Sequence, residues 1–164
     1  MRLLSEAAER LTAAVALALA CPASTALAQD HHIVTPPDQV KFGPAPPFLP
    51  AGAKIAVLQG DPSAAGPVVL RLLFPANFVV PPHWHSMAER LTIISGTLYV
   101  GAGDAVDRAG SAALAPGGYA YLPAKMHHYA WTKAATVVQI NLEGPFDIFY
   151  INASDDPRKA PGTR

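Results

Sequence analysis

A single cysteine, Cys21, is all that 164 residues carry, and twelve basic side chains are balanced by twelve acidic ones. One thiol cannot close a disulfide within the chain, so no covalent framework holds this protein together. The absence of net charge offers nothing in bulk to nucleic acid or to an anionic membrane. Long hydrophobic runs are missing too: "LTAAVALALA" (11–20) has ten residues, too few to span a bilayer comfortably. Charged residues make up only 15% while prolines number seventeen. That balance favours a compact, loop-punctuated β protein over a helical bundle. The length suffices for one domain with a real core.

The first twenty-eight residues read as an export signal. Arg2 and Arg10 frame a basic start, which Glu6 and Glu9 weaken. The short apolar run follows, Pro22 breaks it, and Ala26-Leu27-Ala28 supplies the small-x-small pattern of a cleavage site before Gln29. The alternatives are a helical or disordered extension, or lipid attachment at Cys21 within "ALAC" (18–21), a poor match to a lipid-attachment box. Cleavage after Ala28 leaves a mature chain without cysteine, expected in the periplasm or secreted, with no membrane association. The new terminus, Gln29-Asp30-His31, would then offer an amine, two amides and an imidazole that can enclose Cu(II) or Ni(II) in a square plane, with His32 as axial neighbour.

Residues 29–53 form a proline-rich arm. Its stretch "PPDQVKFGPAPPFLP" (36–50) has six prolines and no alternation, which predicts an extended segment laid across the domain and no strand of its own. From 54 to 151, short runs rich in β-branched and aromatic residues alternate with Gly, Pro and Asp turns every eight to twelve residues. They are "KIAVLQ" (54–59), "VVLRLLF" (68–74), "RLTIIS" (90–95), "TLYV" (97–100), "YAYL" (119–122), "HYAW" (128–131), "TVVQINL" (136–142) and "FDIFYI" (146–151). The pattern is that of an all-β sandwich or barrel. Ser95-Gly96 reads as a tight hairpin turn, "GDAVDRAG" (103–110) as one helical turn, and 152–164 as a loose, charged tail. No internal repeat is visible.

The chemistry concentrates in "PPHWHSMAERLTIISG" (81–96). Side chains alternate faces along a strand, so His83 and His85 point one way and Trp84 the other. Two imidazoles from one strand can reach one ion, and Glu89 has the parity, or the short turn from Ser86, to join them. Two prolines stiffen the approach. A second contribution is expected from "PGGYAYLPAKMHHYAW" (116–131), where adjacent His127 and His128 face opposite sides of a strand. One of them can join the first cluster. Without a metal, the alternative for these residues is a hydrogen-bonded polar core cluster, at a heavy desolvation cost.

These residues resemble the cupins, double-stranded β-helix (jelly-roll) barrels. The first cupin motif is a glycine, five residues, H-x-H, three or four residues, E, six residues and G. His83, His85, Glu89 and Gly96 fit it, with Asn77 in place of the leading glycine, a tolerable change because asparagine also accepts left-handed backbone. The second motif is a glycine, five residues, P-x-G, two residues, H, three residues and N. Gly117, Pro123 and His128 fit it, with Lys125 in place of a glycine and Thr132 in place of the asparagine. The resemblance covers roughly residues 54–151 and, more narrowly, is to single-domain bacterial cupins related to the cupin domain of certain anti-sigma factors. It selects His128 over His127 and implies one divalent transition metal (Fe, Mn, Zn, Ni or Cu) on His83, His85, Glu89 and His128, with one or two positions open. It also implies a possible homodimer.

Other side chains carry weaker expectations. Tyr119, Tyr121, Trp131, Gln139 and Asn141 are candidates for lining the pocket, although Gln139 and Asn141 point outward if Val138, Ile140 and Leu142 face the core. Trp84 and Trp131 are expected to pack rather than to bind substrate. Arg71 is expected to make an exposed salt bridge, and His127 to lie at the surface or behind a ligand. The leading functional expectation is an oxidising, dioxygenase-like metalloenzyme acting on a small oxygenated molecule, with Glu89 as its one identifiable base. The rival is a non-catalytic module that binds a small molecule or metal, and an isomerase is a weaker third.

Overall fold

The computed structural model describes residues 32–159. The expected export signal, Cys21 and the expected copper- or nickel-binding terminus at Gln29–His31 lie outside the described residues. Eleven strands follow in order: β1 Gly43–Pro44, β2 Lys54–Gln59, β3 Gly66–Phe74, β4 Val79–Trp84, β5 Glu89–Ser95, β6 Leu98–Ala102, β7 Ala112–Leu114, β8 Tyr119–Leu122, β9 His128–Thr132, β10 Thr136–Gly144 and β11 Phe149–Tyr150. They form two antiparallel sheets, β1-β2-β3-β10-β5-β8 and β11-β4-β9-β6-β7. This is the all-β jelly-roll expected from the spacing of the runs. Among the described residues no helix is long and apolar enough to cross a membrane.

Each long strand presents one face to the interior. Along β10, Val138, Ile140 and Leu142 are buried and alternate with half-buried Gln139 and Asn141. On β3, Val68, Leu70, Leu72 and Phe74 do the same. Burying each such side chain stabilises the barrel by about 1.5–3 kcal/mol. Gln139 and Asn141 therefore point outward, and Arg71, opposite Gln139 in the ladder, donates from Nε to its Oε1 at 3.1 Å. The partner of Arg71 is thus a neutral amide rather than the acid expected.

Several local expectations are corrected. Ser95-Gly96 is no hairpin turn, because β5 and β6 belong to different sheets and do not pair. Gly96 instead carries the chain from one sheet to the other, with φ 76° and so little room that a Cβ would lie 2.5 Å from the Ala135 carbonyl. Only glycine combines that backbone with that approach. Residues 103–110 make bends, not a helical turn, organised by Asp107, whose carboxylate accepts from the Ala109 amide and whose carbonyl accepts from Ser111 and Tyr129. The arm does contain a strand, since Gly43–Pro44 pairs with Lys54 and Ile55. It also enters the core: Leu49 is buried and Phe48 packs edge-on against Phe146. The tail is docked as far as Arg158. Asp156 is buried and gripped by Arg158, which also donates to the Ile148 carbonyl.

Candidate metal centre

The double proline explains how the first histidine comes to face inward. Val80 is opposite Ala130 and His83 opposite His128, so β4 uses three steps where β9 uses two. The extra residue is a β-bulge at Pro81-Pro82, where neither nitrogen can donate to the ladder. Without it, alternation would put Val80 and His83 on opposite faces; with it, both are buried. Trp84 then faces out and stacks on Phe149 at 4.2 Å, as a packing residue. His85 follows as the chain leaves one sheet, and Glu89 opens β5 in the other, between Leu142 and Leu122. The four side chains therefore span both sheets.

The three rings are held by the same device. Nδ1 of His83 donates to the Pro81 carbonyl at 2.6 Å, Nδ1 of His128 to the Met126 carbonyl at 2.9 Å, and Nδ1 of His85 to the Asp147 carbonyl. A carbonyl only accepts, so each Nδ1 carries the proton and each Nε2 keeps its lone pair. One nitrogen from each ring lies within 4.8 Å of the other two. Glu89 Oε2 is 3.5 Å from His85 Nε2 and 3.7 Å from His128 Nε2. The carboxylate approaches two of the rings, and the closed group consists of the three histidines.

Asp147 does more than accept from His85. Its carboxylate takes the Ser86 amide at 2.9 Å and the Ser86 hydroxyl, clamping the turn between His85 and Glu89. On the other side, the Lys125 amide donates to the His85 carbonyl at 2.9 Å. Lys125 has φ 63° and Asn77 φ 59°. Both positions where glycine is replaced thus keep the left-handed backbone the motif requires. Thr132 stands where the motif has asparagine, and it bonds Pro75 and Phe78 away from the cavity.

Burial governs the electrostatics. It pushes His83 well below the usual imidazole range, with His128 and His85 adding to it and the Pro81 bond opposing. Burial also lowers His85 and His128, against the Asp147 and Glu89 partners that favour their charged forms. The Glu89 carboxyl is raised to about 7 by burial, with His128 opposing. Three neutral imidazoles with converging lone pairs are a donor set for a transition metal. The donor set fits: His128 Nε2 is buried with no hydrogen-bond partner, an orphan that a buried polar atom rarely tolerates and that a metal ion would satisfy.

A cavity of about 40 Å³ opens beside these groups. Tyr119 and Tyr121 do not line it; they stand exposed on the outer face, where Arg90 lies over the Tyr121 ring at 5.3 Å. Trp131 is buried away from it against Tyr99, at 3.9 Å. Leu49, Phe146 and Ile148 do line it. None carried a functional expectation, although Leu49 sits where the bulky pair Phe48-Leu49 interrupts the prolines of the arm. His127 is exposed, with Nδ1 2.6 Å from Asp104 Oδ1.

A two-sheet jelly-roll with three inward histidines defines a class of barrel proteins, and comparison with known families agrees. The cupin profile matches residues 62–153, more than half of the chain. The chain belongs to the cupin family. Among solved structures, the polyketide cyclase RemF of Streptomyces resistomycificus is 17% identical, with a TM-score of 0.61 over 77% of this chain and 90% of its own. A candidate acetylacetone dioxygenase of Methylibium petroleiphilum PM1 is 20% identical, with a TM-score of 0.56 over 73% and 81%. The DMSP lyase DddQ of Ruegeria pomeroyi DSS-3 is 14% identical, with a TM-score of 0.55 over 70% and 62%. At these identities the likeness is one of fold. No curated protein matches the chain in sequence.

Proposed function

We propose that His83, His85 and His128 hold one divalent transition metal through Nε2, with Glu89 as fourth ligand, and that the site is a metal-dependent enzyme for a small oxygenated molecule, with dioxygenase-type oxidation leading. The observation that carries this reading is that three buried histidines, each with Nδ1 on a main-chain carbonyl and Nε2 left with its lone pair, bring one nitrogen apiece within 4.8 Å of one another. Such an ion supplies Lewis acidity and an open position for oxygen or substrate. The chain supplies the rest. The carbonyls of Pro81, Asp147 and Met126 fix the rings, a role typical of groups behind metal ligands. The apolar wall excludes water, and Glu89, the one carboxylate on it, accepts the proton that leaves the substrate.

The named neighbours include a cyclase, a lyase and a candidate dioxygenase, so the fold accommodates several reactions and selects none. Elemental analysis of purified wild type and His85→Ala tests the metal: near-stoichiometric content in the first and loss in the second is expected, and equal content refutes the site. Oxygen uptake with phenolic, diketone and thiol substrates then tests the reaction. A second reading, a non-catalytic binding module, is favoured by one observation: the cavity wall has no acid or base beyond Glu89 and the three imidazoles. Metal-loaded protein that binds ligands without turnover would establish it. Export with cleavage after Ala28 belongs to the same proposal, and the terminal sequence of the mature protein tests it.

A further inference from the structure

We infer that the substrate of this cavity is a small molecule with its polar atoms at one end and an uncharged, apolar body. The inference rests on the metal reading above. It comes from the composition of the wall. Seventeen residues line the cavity, and the only polar side chains among them are His83, His85, Glu89 and His128. The other thirteen are aliphatic or phenylalanine, with no lysine, arginine, serine, threonine, asparagine, glutamine or tyrosine.

A charged or hydroxylated tail extending from the metal end would thus lose its hydration and find no partner. An alkyl tail would lose nothing and gain contact with side chains such as Leu49, Phe146 and Ile148. Size points the same way. The cavity is small, about 40 Å³, which favours a compact body. The chemical class is a compact chelating oxygen ligand with a short alkyl substituent, not a dicarboxylate, an amino acid or a sugar.

Hydroxamates with one metal-binding head and different tails test this directly. Wild-type protein is loaded with Co(II), whose visible absorption bands report occupancy of the site, and is titrated with propionohydroxamate and glycine hydroxamate. The two tails have the same shape and differ in a terminal methyl against an ammonium. Propionohydroxamate is expected to bind at least about 30-fold more tightly. Benzohydroxamate, whose ring is bulkier than an ethyl group, is expected to bind more weakly than propionohydroxamate. Leu49→Asp, which places a carboxylate on the wall from the arm rather than from a strand, is expected to shift the preference toward glycine hydroxamate.

Absence of the Co(II) bands in wild type would overturn the metal reading itself. Bands present, with glycine hydroxamate bound as tightly as propionohydroxamate, would overturn the substrate class and leave the metal standing. Tighter binding of benzohydroxamate would overturn the size limit. The wild-type titrations decide the matter even if Leu49→Asp fails to fold.

Discussion

His127 and His128 are neighbours in sequence and opposites in every physical respect. His128 is 2% exposed, opposite His83 in the ladder, with its Nδ1 on the Met126 carbonyl and its Nε2 without a partner. The His127 side chain is 42% exposed and its Nδ1 hydrogen-bonds the Asp104 carboxylate. One imidazole has been stripped of water and left with a lone pair aimed at two other rings; the other keeps both water and a carboxylate. What separates a ligand from a surface residue here is one step of backbone: His128 opens β9 while His127 lies in the approach just before it, and the two side chains leave in different directions. The comparison predicts that two identical substitutions one residue apart will have very different consequences.

The largest effect belongs to His128→Ala. Removing one of three nitrogens is expected to lower metal affinity by more than the roughly 10–100-fold typical of groups that merely orient ligands. Saturating metal should raise the melting temperature of wild type, since a ligand that binds only the folded state stabilises it by about 2.7 kcal/mol at a hundred times its Kd. His128→Ala should show no such rise. A metal-dependent melting temperature retained in His128→Ala would place the ion elsewhere.

Asp147→Ala comes next and asks how much of the contrast is made by the supports. The Asp147 carbonyl remains in this variant, so the tautomer of His85 is preserved, while the clamp on Ser86 is lost. Metal affinity, read by chelator competition, is expected to fall about 10–100-fold with stoichiometry unchanged. Unchanged affinity would mean that the turn from His85 to Glu89 holds its shape alone.

Much of this contrast was legible beforehand. Strand parity placed Trp84 opposite His83 and His85, and the spacing of His83, His85, Glu89 and His128 carried the resemblance that the cupin match bears out. What escaped has physical causes. The bulge at Pro81-Pro82 reverses parity within β4, which an alternation count cannot register. Ser95-Gly96 has the composition of a hairpin turn, but which sheet the next strand joins depends on long-range pairing with β9 and β10. Asp147 acts through its main-chain oxygen on His85 and through a carboxylate that reaches Ser86 sixty-one residues away, and Leu49 through bulk; none of these leaves a local pattern. Tyr119 and Tyr121 look like pocket residues by type, and the inner face of β8 belongs instead to Ala120 and Leu122.

A smaller effect comes from the Asp156–Arg158 ion pair, whose arginine also reaches the cavity wall. Asp156 is buried, and its carboxyl is held below the ordinary carboxylate range by hydrogen bonds from Arg158, against burial. The same Arg158 donates to the carbonyl of Ile148, a wall residue. A carboxyl whose folded pKa is depressed contributes its stability above the unfolded value, and loses it as pH falls through the folded one. Wild type should therefore unfold at higher urea than Asp156→Asn at pH 7, and the gap should begin to narrow near about pH 4, the unfolded aspartate range, and close as pH falls through the depressed folded value. A gap that persists at low pH would mean that packing, not the ion pair, holds the tail.

The smallest effect is the one that completes the comparison. His127→Ala removes an exposed imidazole whose visible partner is Asp104, itself 67% exposed. Exposed pairs of this kind contribute about 0–1 kcal/mol, less at high salt, so stability should change by no more than that. Metal content and hydroxamate affinity should match wild type, because the side chain leaves β9's approach on the face away from the cavity. Metal loss in His127→Ala comparable to that in His128→Ala would show that the two rings exchange roles, and that the face a residue occupies does not by itself decide its chemistry. Equal metal in His127→Ala and wild type, beside an empty His128→Ala, would assign the whole difference to the direction each side chain takes, His128 into the cavity from β9 and His127 outward from the approach to it.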